Sequence, residues 1–216
     1  MYVPAHFAAA GDAEVVAFVA EAAAADLVTF DGSQLVASLL PVIWDRSAGS
    51  PGRLLGHIAL NNPQWSTSAG GVPALAIVHG PQAYISPSWY ASKREHGQVV
   101  PTWNYTSVHF TGPVAFHRDP EWLRDVVTRL TDRHEADRPG RWHVTDAPEK
   151  FIDGQLRAIV GVEMTITKVE AKAKLSQNRP EADRAGVMTA LEESPVPGER
   201  RIAELMRARE AAEAGS

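Results

Sequence analysis

Residues 102–116, TWNYTSVHFTGPVAF, constrain the fold more than any other stretch of the chain. Tyr105, Ser107 and His109 alternate with Val108 and Phe110. Successive side chains of a strand point to opposite faces, so one face here is apolar and the other can hydrogen-bond. Gly112-Pro113 bends the run, and Val114 to Phe116 continue it. A long half-polar strand of this kind needs a sheet around it, and the flanking sequence supplies one.

Asp26 to Phe30 and Leu35 to Trp44 read as strands joined by a turn at Asp31-Gly32, a favoured hairpin pair. Arg53 to Ala59 is a third strand. Ala74 to Ser86 is a fourth, bent at Gly80-Pro81, and residues 61–71 between them are turn-rich. A first helix is expected from Ala13 to Ala25 with Asp12 as its cap. A second follows Asp119-Pro120-Glu121: an N-cap, a proline suited to the first turn and an acid at the positive end, with Trp122, Val126 and Leu130 on one stripe. The pattern predicts a helix over Ala147 to Val160 and a last strand through Val162, Met164 and Ile166. Two further helices, Glu181 to Glu193 and Glu199 to Ala214, are split by Pro195-Val196-Pro197-Gly198. Strands dominate early and helices enter late, with few βαβ units. That order argues for an antiparallel barrel and against a doubly wound sheet.

Composition removes several function classes. The 216 residues hold 44% hydrophobic and 22% charged side chains, as a globular protein does. No apolar run approaches the ~18 residues of a membrane span. The start, MYVPAHFAAAGDAEVV, does not read as a secretion signal, and a cytoplasmic location is expected. There is no cysteine, which removes disulfides, thiolate metal sites and cysteine nucleophiles. The histidines show no short metal-ligand spacing. GxGxxG, P-loop and GxSxG patterns are missing. The net charge of −5 gives DNA binding no support. From Arg179 to Ala214 there are six Arg and eight Asp or Glu, which opposes a phosphate-neutralising helical pair.

Three segments could carry chemistry. Ser86-Pro87-Ser88-Trp89-Tyr90, with Lys93 beyond it, combines hydroxyls and a cation that can hold a phosphate with rings that can lie against a planar ligand. A polar loop anchored by its tryptophan would have the same composition. Pro101-Thr102-Trp103-Asn104-Tyr105 offers donors and acceptors beside a large ring; a strand start with a satisfied asparagine is the alternative. The run KAKLSQNR, from Lys172 to Arg179, could reach an anion or form a solvated linker. His57, on a short strand, could contact a flavin, ligate haem iron or be a buried structural histidine.

Six blocks in order, MYVPAHF, GHIALNNPQW, HGPQAYISPSWYASK, VVPTWNYTSVHFTG, DPEWLRDVVTRLTDRHE and KLSQNRPEADRAGV, together resemble the PaiB family of FMN-binding negative transcriptional regulators. That family resembles the pyridoxamine-phosphate-oxidase-like proteins. The resemblance implies an α+β fold, an antiparallel split β-barrel with peripheral and C-terminal helices. The barrel with its inserted helices would span residues 1–178 and a helical extension 179–216. It also implies a homodimer with FMN at the subunit interface. The cofactor residues it implies are His57, Ser86, Ser88, Trp89, Lys93, Thr102, Trp103, Asn104, Lys174 and Gln177. A second group of the family resembles haem-dependent piperazate synthases, redox enzymes that form a nitrogen–nitrogen bond. In that reading haem b replaces FMN and His57 lies near or on the iron. A non-catalytic small-molecule-binding module is a third reading. Three positions depart from the family pattern. Leu39 stands where histidine is usual and Ala173 where tryptophan is usual; an aromatic is common near Ala24. If these positions line one pocket, it is larger and drier here.

Overall fold

The computed structural model describes residues 1–47, 49–68 and 72–214, with the side chain of residue 213 left out of account. Its strands are β1 (Ala24–Phe30), β2 (Leu35–Asp45), β3 (Arg53–Ala59), β4 (Ala74–Ile85), β5 (Thr102–Gly112), β6 (Val114–His117), β7 (Ile159–Thr165) and β8 (Lys168–Lys174). Its helices are α1 (Asp12–Ala22), α2 (Gln64–Thr67), α3 (Ser92–Glu95), α4 (Pro120–Glu135), α5 (Glu149–Leu156), α6 (Glu181–Glu192) and α7 (Pro197–Ala214). The strands form one sheet in the order β6-β7-β3-β2-β1-β4-β5-β8. Each pairing with a defined register is antiparallel. Antiparallel pairing is what the hairpin-rich order leads one to expect.

The chain divides into two compact units that interleave in sequence. The first comprises Met1–Phe18, His79–Val108 and the chain from Glu170 onward; the second comprises Val19–Val78 and His109–Val169.

In the second unit the hairpin β1–β2 pairs Phe30 with Leu35 and Asp26 with Leu39. Ala25, Leu27 and Thr29 of β1 are buried. Gln64, at the start of α2, is fully buried and donates to the Leu27 carbonyl (3.0 Å) and Thr29 Oγ1 (3.1 Å). A buried amide that lost these partners would cost more than the bonds are worth in water. Helix α4 begins as expected: the Asp119 carboxylate accepts from the Trp122 amide at 2.8 Å and Pro120 fills the first turn. Its apolar stripe, Val126 and Leu130, packs on Leu55 of β3. Gly161 of β7 lies against Trp122, where an added Cβ would stand 2.1 Å from the indole ring. His117 stacks on the same indole, centroids 4.3 Å apart. Asp45, 5% exposed, pairs with Arg53 (3.2 Å) and Arg129 (3.4 Å). Hydrogen bonds from Ser47, then the two guanidinium groups, hold its carboxyl at about 2.

In the first unit, helices α6 and α7 pack on one another through buried Val187, Met188, Leu191, Ile202, Ala203 and Met206. The bend expected at Gly80-Pro81 lies inside the continuous strand β4. A Cβ at Gly80 would fall 1.9 Å from Thr106 Oγ1, so only glycine admits this approach of β5.

Among the places where the structure differs from expectation, three matter most. The first helix stops at Ala22, because Ala23 adopts φ 58° and Ala24 and Ala25 enter β1. Helix α5 stops at Leu156, and Ile159 and Val160 pair with Ala59 and Ile58. The run from Lys172 to Arg179, read as an anion-reaching segment or a linker, begins inside a further strand, β8 (Lys168–Lys174).

Candidate functional site

Nine of the ten residues singled out from the sequence lie in the first unit, and His57 lies in the second. The nine form two groups, one on the loop after β4 and one where β5 begins and β8 ends.

The loop is built from its own hydroxyls. Ser86 caps the 3-10 turn Pro87–Trp89, its Oγ accepting from the Ser88 amide at 3.2 Å. Lys93, on α3, donates to Ser88 Oγ at 3.1 Å. Helix α6 holds this loop in place. The Asp183 carboxylate, 1% exposed, accepts from the Ser92 amide and from Ser92 Oγ, both at 2.9 Å. One turn on, Gly186 lies under the Trp89 carbonyl, where a Cβ would stand 2.1 Å from the oxygen. Tyr90 is fully buried and its hydroxyl has no hydrogen-bond partner. The Arg179 guanidinium lies over its ring at 4.9 Å, and burial raises the phenol above its ordinary value.

The second group is cationic and aromatic. Lys174 Nζ donates to Thr102 Oγ1 and to the Trp103 carbonyl. Burial first, then the charges of Lys172 and Arg179, lowers its ammonium below the usual lysine value. Lys172 is 8% exposed, donates to the Tyr2 carbonyl (3.3 Å) and lies 5.2 Å from the centre of the Tyr105 ring. Among the described residues, none of Lys172, Lys174 and Arg179 has a carboxylate partner. Trp103 and Tyr84, 52% and 45% exposed, meet edge to face with centroids 6.3 Å apart. Three crowded cations without a counter-charge form a site for an anion, and two exposed rings nearby in sequence offer a face to a planar group.

Asn104 and Gln177 serve the turn after β8. Asn104 is fully buried; its Oδ1 accepts from Ser176 Oγ at 3.1 Å and its Nδ2 points at Met206 Sδ, 3.5 Å away. Gln177 accepts from the Leu175 amide at 2.7 Å and donates to the Ala173 carbonyl at 2.5 Å. Together they brace Ser176, which adopts φ 64°. Sequence reasoning missed Tyr84, Asp183 and Gly186. Lys172 and Arg179 stood at the ends of the quoted KAKLSQNR run without being named as site residues. The alternation of Lys172 and Lys174 was the available signal, since a period of two places both on one face of a strand.

His57 sits on β3 opposite Gly161. It is partly buried, its Nδ1 has no hydrogen-bond partner, and burial lowers its pKa, so the imidazole is neutral at pH 7. Ala173 has no exposed surface, and Leu39 is 72% exposed on the outer face of β2. Among the described residues no group of three or more His, Asp or Glu is placed to hold a metal ion. None of the helices described is long and apolar enough to cross a membrane.

Residues 1–168 match a family model described as "Putative FMN-binding domain". The chain is 34% identical over 208 residues to the Bacillus subtilis protein named "Protease synthase and sporulation protein PAI 2", covering 95% of this chain and 96% of that one. The chain belongs to the PaiB family. An Aspergillus fumigatus relative is 31% identical over 175 residues, 66% of this chain and 67% of its own length. Two solved structures share the fold. The flavocytochrome Anf3 from Azotobacter vinelandii superposes with a TM-score of 0.59 at 13% identity, over 85% of this chain and 78% of its own. The FAD and haem binding protein from Mycobacterium smegmatis gives 0.55 at 16% identity, over 77% and 72%. The PaiB fold is thus the split barrel that the sequence blocks implied.

Proposed function

We propose that this PaiB-family protein binds FMN through the cationic and aromatic groups of its first unit, and acts as a homodimeric negative regulator of transcription. The observation that carries the flavin part is the uncompensated trio Lys172, Lys174 and Arg179. The donor set fits the group. Lys174, Thr102 and the pair Ser88–Lys93 would hold the phosphate. Trp103 and Tyr84 would lie against the isoalloxazine. FMN, when bound, supplies a redox-active ring; the chain supplies its position and the neutralisation of its phosphate. A phosphate beside Lys174 adds negative charge among the positive groups, so binding would stabilise the ammonium.

The dimer part has support in the second unit. Leu35, Ala37, Leu39 and Pro41 of β2 face outward, with Leu35 and Leu39 73% and 72% exposed. In register beside them stand Phe30, Val28, Asp26 and Ala24 of β1, so one acid interrupts the apolar surface beside Leu39. A second copy seated on this face would cover Leu35 and Leu39, which a monomer leaves wet. Regulation rests on the family resemblance alone, and with a net charge of −5 a DNA contact would need a local basic patch.

The test is one set of measurements on purified full-length protein. FMN fluorescence should be quenched to saturation at one flavin per chain, light scattering should give a dimer, and promoter DNA of the protein's own operon should be retarded. Unquenched FMN would remove the flavin part, a monomer the dimer part, and unretarded DNA the regulatory part. A second reading, a haem-dependent redox enzyme, is favoured by one observation: His57 is a neutral imidazole with an unsatisfied nitrogen. It expects a Soret band at about 400 nm that shifts in His57→Ala.

A further inference from the structure

A cleft of about 340 Å³ opens in the second unit, lined by Arg118, Pro120, Leu123, Asp153, Leu156, Arg157 and Ile159. It lies where the turn from β6 into α4 meets the end of α5 and the start of β7. None of its residues belongs to the cationic group assigned to FMN. Its volume is at the lower end of small-molecule pockets, enough for about a dozen heavy atoms.

The lining separates into an apolar part and a charged part. Leu123 and Leu156 are 2% and 4% exposed, and Pro120 and Ile159 extend the same apolar surface. Arg118 and Arg157 are exposed and, among the described residues, have no carboxylate partner. The one acid in the lining, Asp153, is already engaged: Arg124 donates to its Oδ1 at 2.6 Å. Asp119, the acid beside Arg118, is committed to capping α4. With Asp153 paired to Arg124, Arg118 and Arg157 are the charges that the cleft offers a ligand. The apolar part of the lining favours an anion that carries an apolar body over inorganic phosphate. Guanidinium groups also bind carboxylates in a two-point geometry that a simple halide cannot use.

We infer that this cleft binds a small amphipathic monocarboxylate, its apolar body on Leu123, Leu156 and Ile159 and its carboxylate on Arg118 and Arg157. In a flavin-binding regulator such a site would take an effector. In a redox enzyme it would take a regulatory ligand. The inference does not depend on which of these the protein is.

The experiment is a titration of 3-phenylpropanoate into the full-length chain, followed by amide proton–nitrogen shifts. The alcohol 3-phenylpropan-1-ol and inorganic phosphate serve as controls. Saturating shifts at the Leu123, Arg157 and Ile159 amides are expected. Affinity should fall at least about tenfold for the alcohol, for phosphate and for the double variant Arg118→Gln/Arg157→Gln. Both side chains are exposed, so the variant keeps the fold. Absence of shifts up to about 10 mM carboxylate overturns the site. Equal binding of the alcohol, or unchanged affinity in the double variant, overturns the role of the arginines. Equal binding of phosphate overturns the ligand class. FMN titration of the same double variant should be unchanged, which keeps this result separate from the flavin assignment.

Discussion

Replacing Asp183 tests whether helix α6 holds the loop that carries Ser86, Ser88 and Lys93. The carboxylate is 1% exposed and accepts two hydrogen bonds of 2.9 Å from Ser92, itself 8% exposed. A hydrogen bond to a charged group contributes about 1.5–3 kcal/mol, and a buried donor left without a partner costs about 1–3 kcal/mol. Asp183→Ala removes both bonds but also removes the cost of burying a carboxylate. The net loss is about 3 kcal/mol. Asp183→Asn keeps an acceptor for the Ser92 amide and gives up only the charge, so it should lose about 1–2 kcal/mol. Ser92→Ala keeps the backbone bond and should fall near the Asn variant. Urea unfolding at pH 7 reads these values from the midpoint at constant slope. Hydrogen exchange at the Ser92 amide reads the local effect, and protection should drop in Asp183→Ala. A loss below about 1 kcal/mol, or an Ser92 amide as protected as in the parent, would refute the clamp.

Other expectations follow from single contacts. Gly161→Ala puts a Cβ 2.1 Å from the Trp122 ring, so α4 must lift off β7; a loss of about 2 kcal/mol or more in thermal unfolding is expected. His57 has its pKa lowered by burial from 6.5, so the unfolded chain takes up its proton first. The stability that neutral His57 supports is present above about pH 6.5 and is lost as pH falls through its lower folded value. His57→Gln should flatten the stability profile in that acidic window. If Leu35 and Leu39 are covered by a second copy, Leu39→Asp should yield a monomer by light scattering with little change in unfolding of the isolated chain.

The parts of the fold that were legible in sequence are those with a local signal. Asp31-Gly32 marked the β1–β2 hairpin, and Asp119-Pro120 with Trp122, Val126 and Leu130 marked α4 and its buried face. The errors fell where two periods read alike. Ala22 to Ala25 carries no contrast in hydrophobicity, and only the left-handed backbone at Ala23 separates α1 from β1. Ile159 and Val160 continue the apolar stripe of α5, yet pairing with β3 takes them into the sheet. Strand β8 was hidden because one of its faces, Lys168, Glu170, Lys172 and Lys174, is charged, so KAKLSQNR resembled a linker. At the candidate site, the loop and strand blocks were visible as blocks, but orientation was not. Asn104 and Gln177 have the chemistry of ligand contacts, and the structure commits both to the turn around Ser176. Asp183 and Gly186 gave no signal at all, since their partners Ser92 and Trp89 lie more than ninety residues away in sequence.

Comparison of FMN with riboflavin addresses the central claim most directly, because the two differ only in the phosphate that Lys174 and its neighbours are assigned to hold. The parent protein should bind FMN at least about a hundredfold more tightly than riboflavin. That preference should shrink as pH rises through the lowered pKa of Lys174, where the ammonium loses its proton. In Lys174→Met it should shrink at least about tenfold and lose this pH dependence. Equal affinity for FMN and riboflavin in the parent, or an undiminished preference in Lys174→Met, would contradict the assignment.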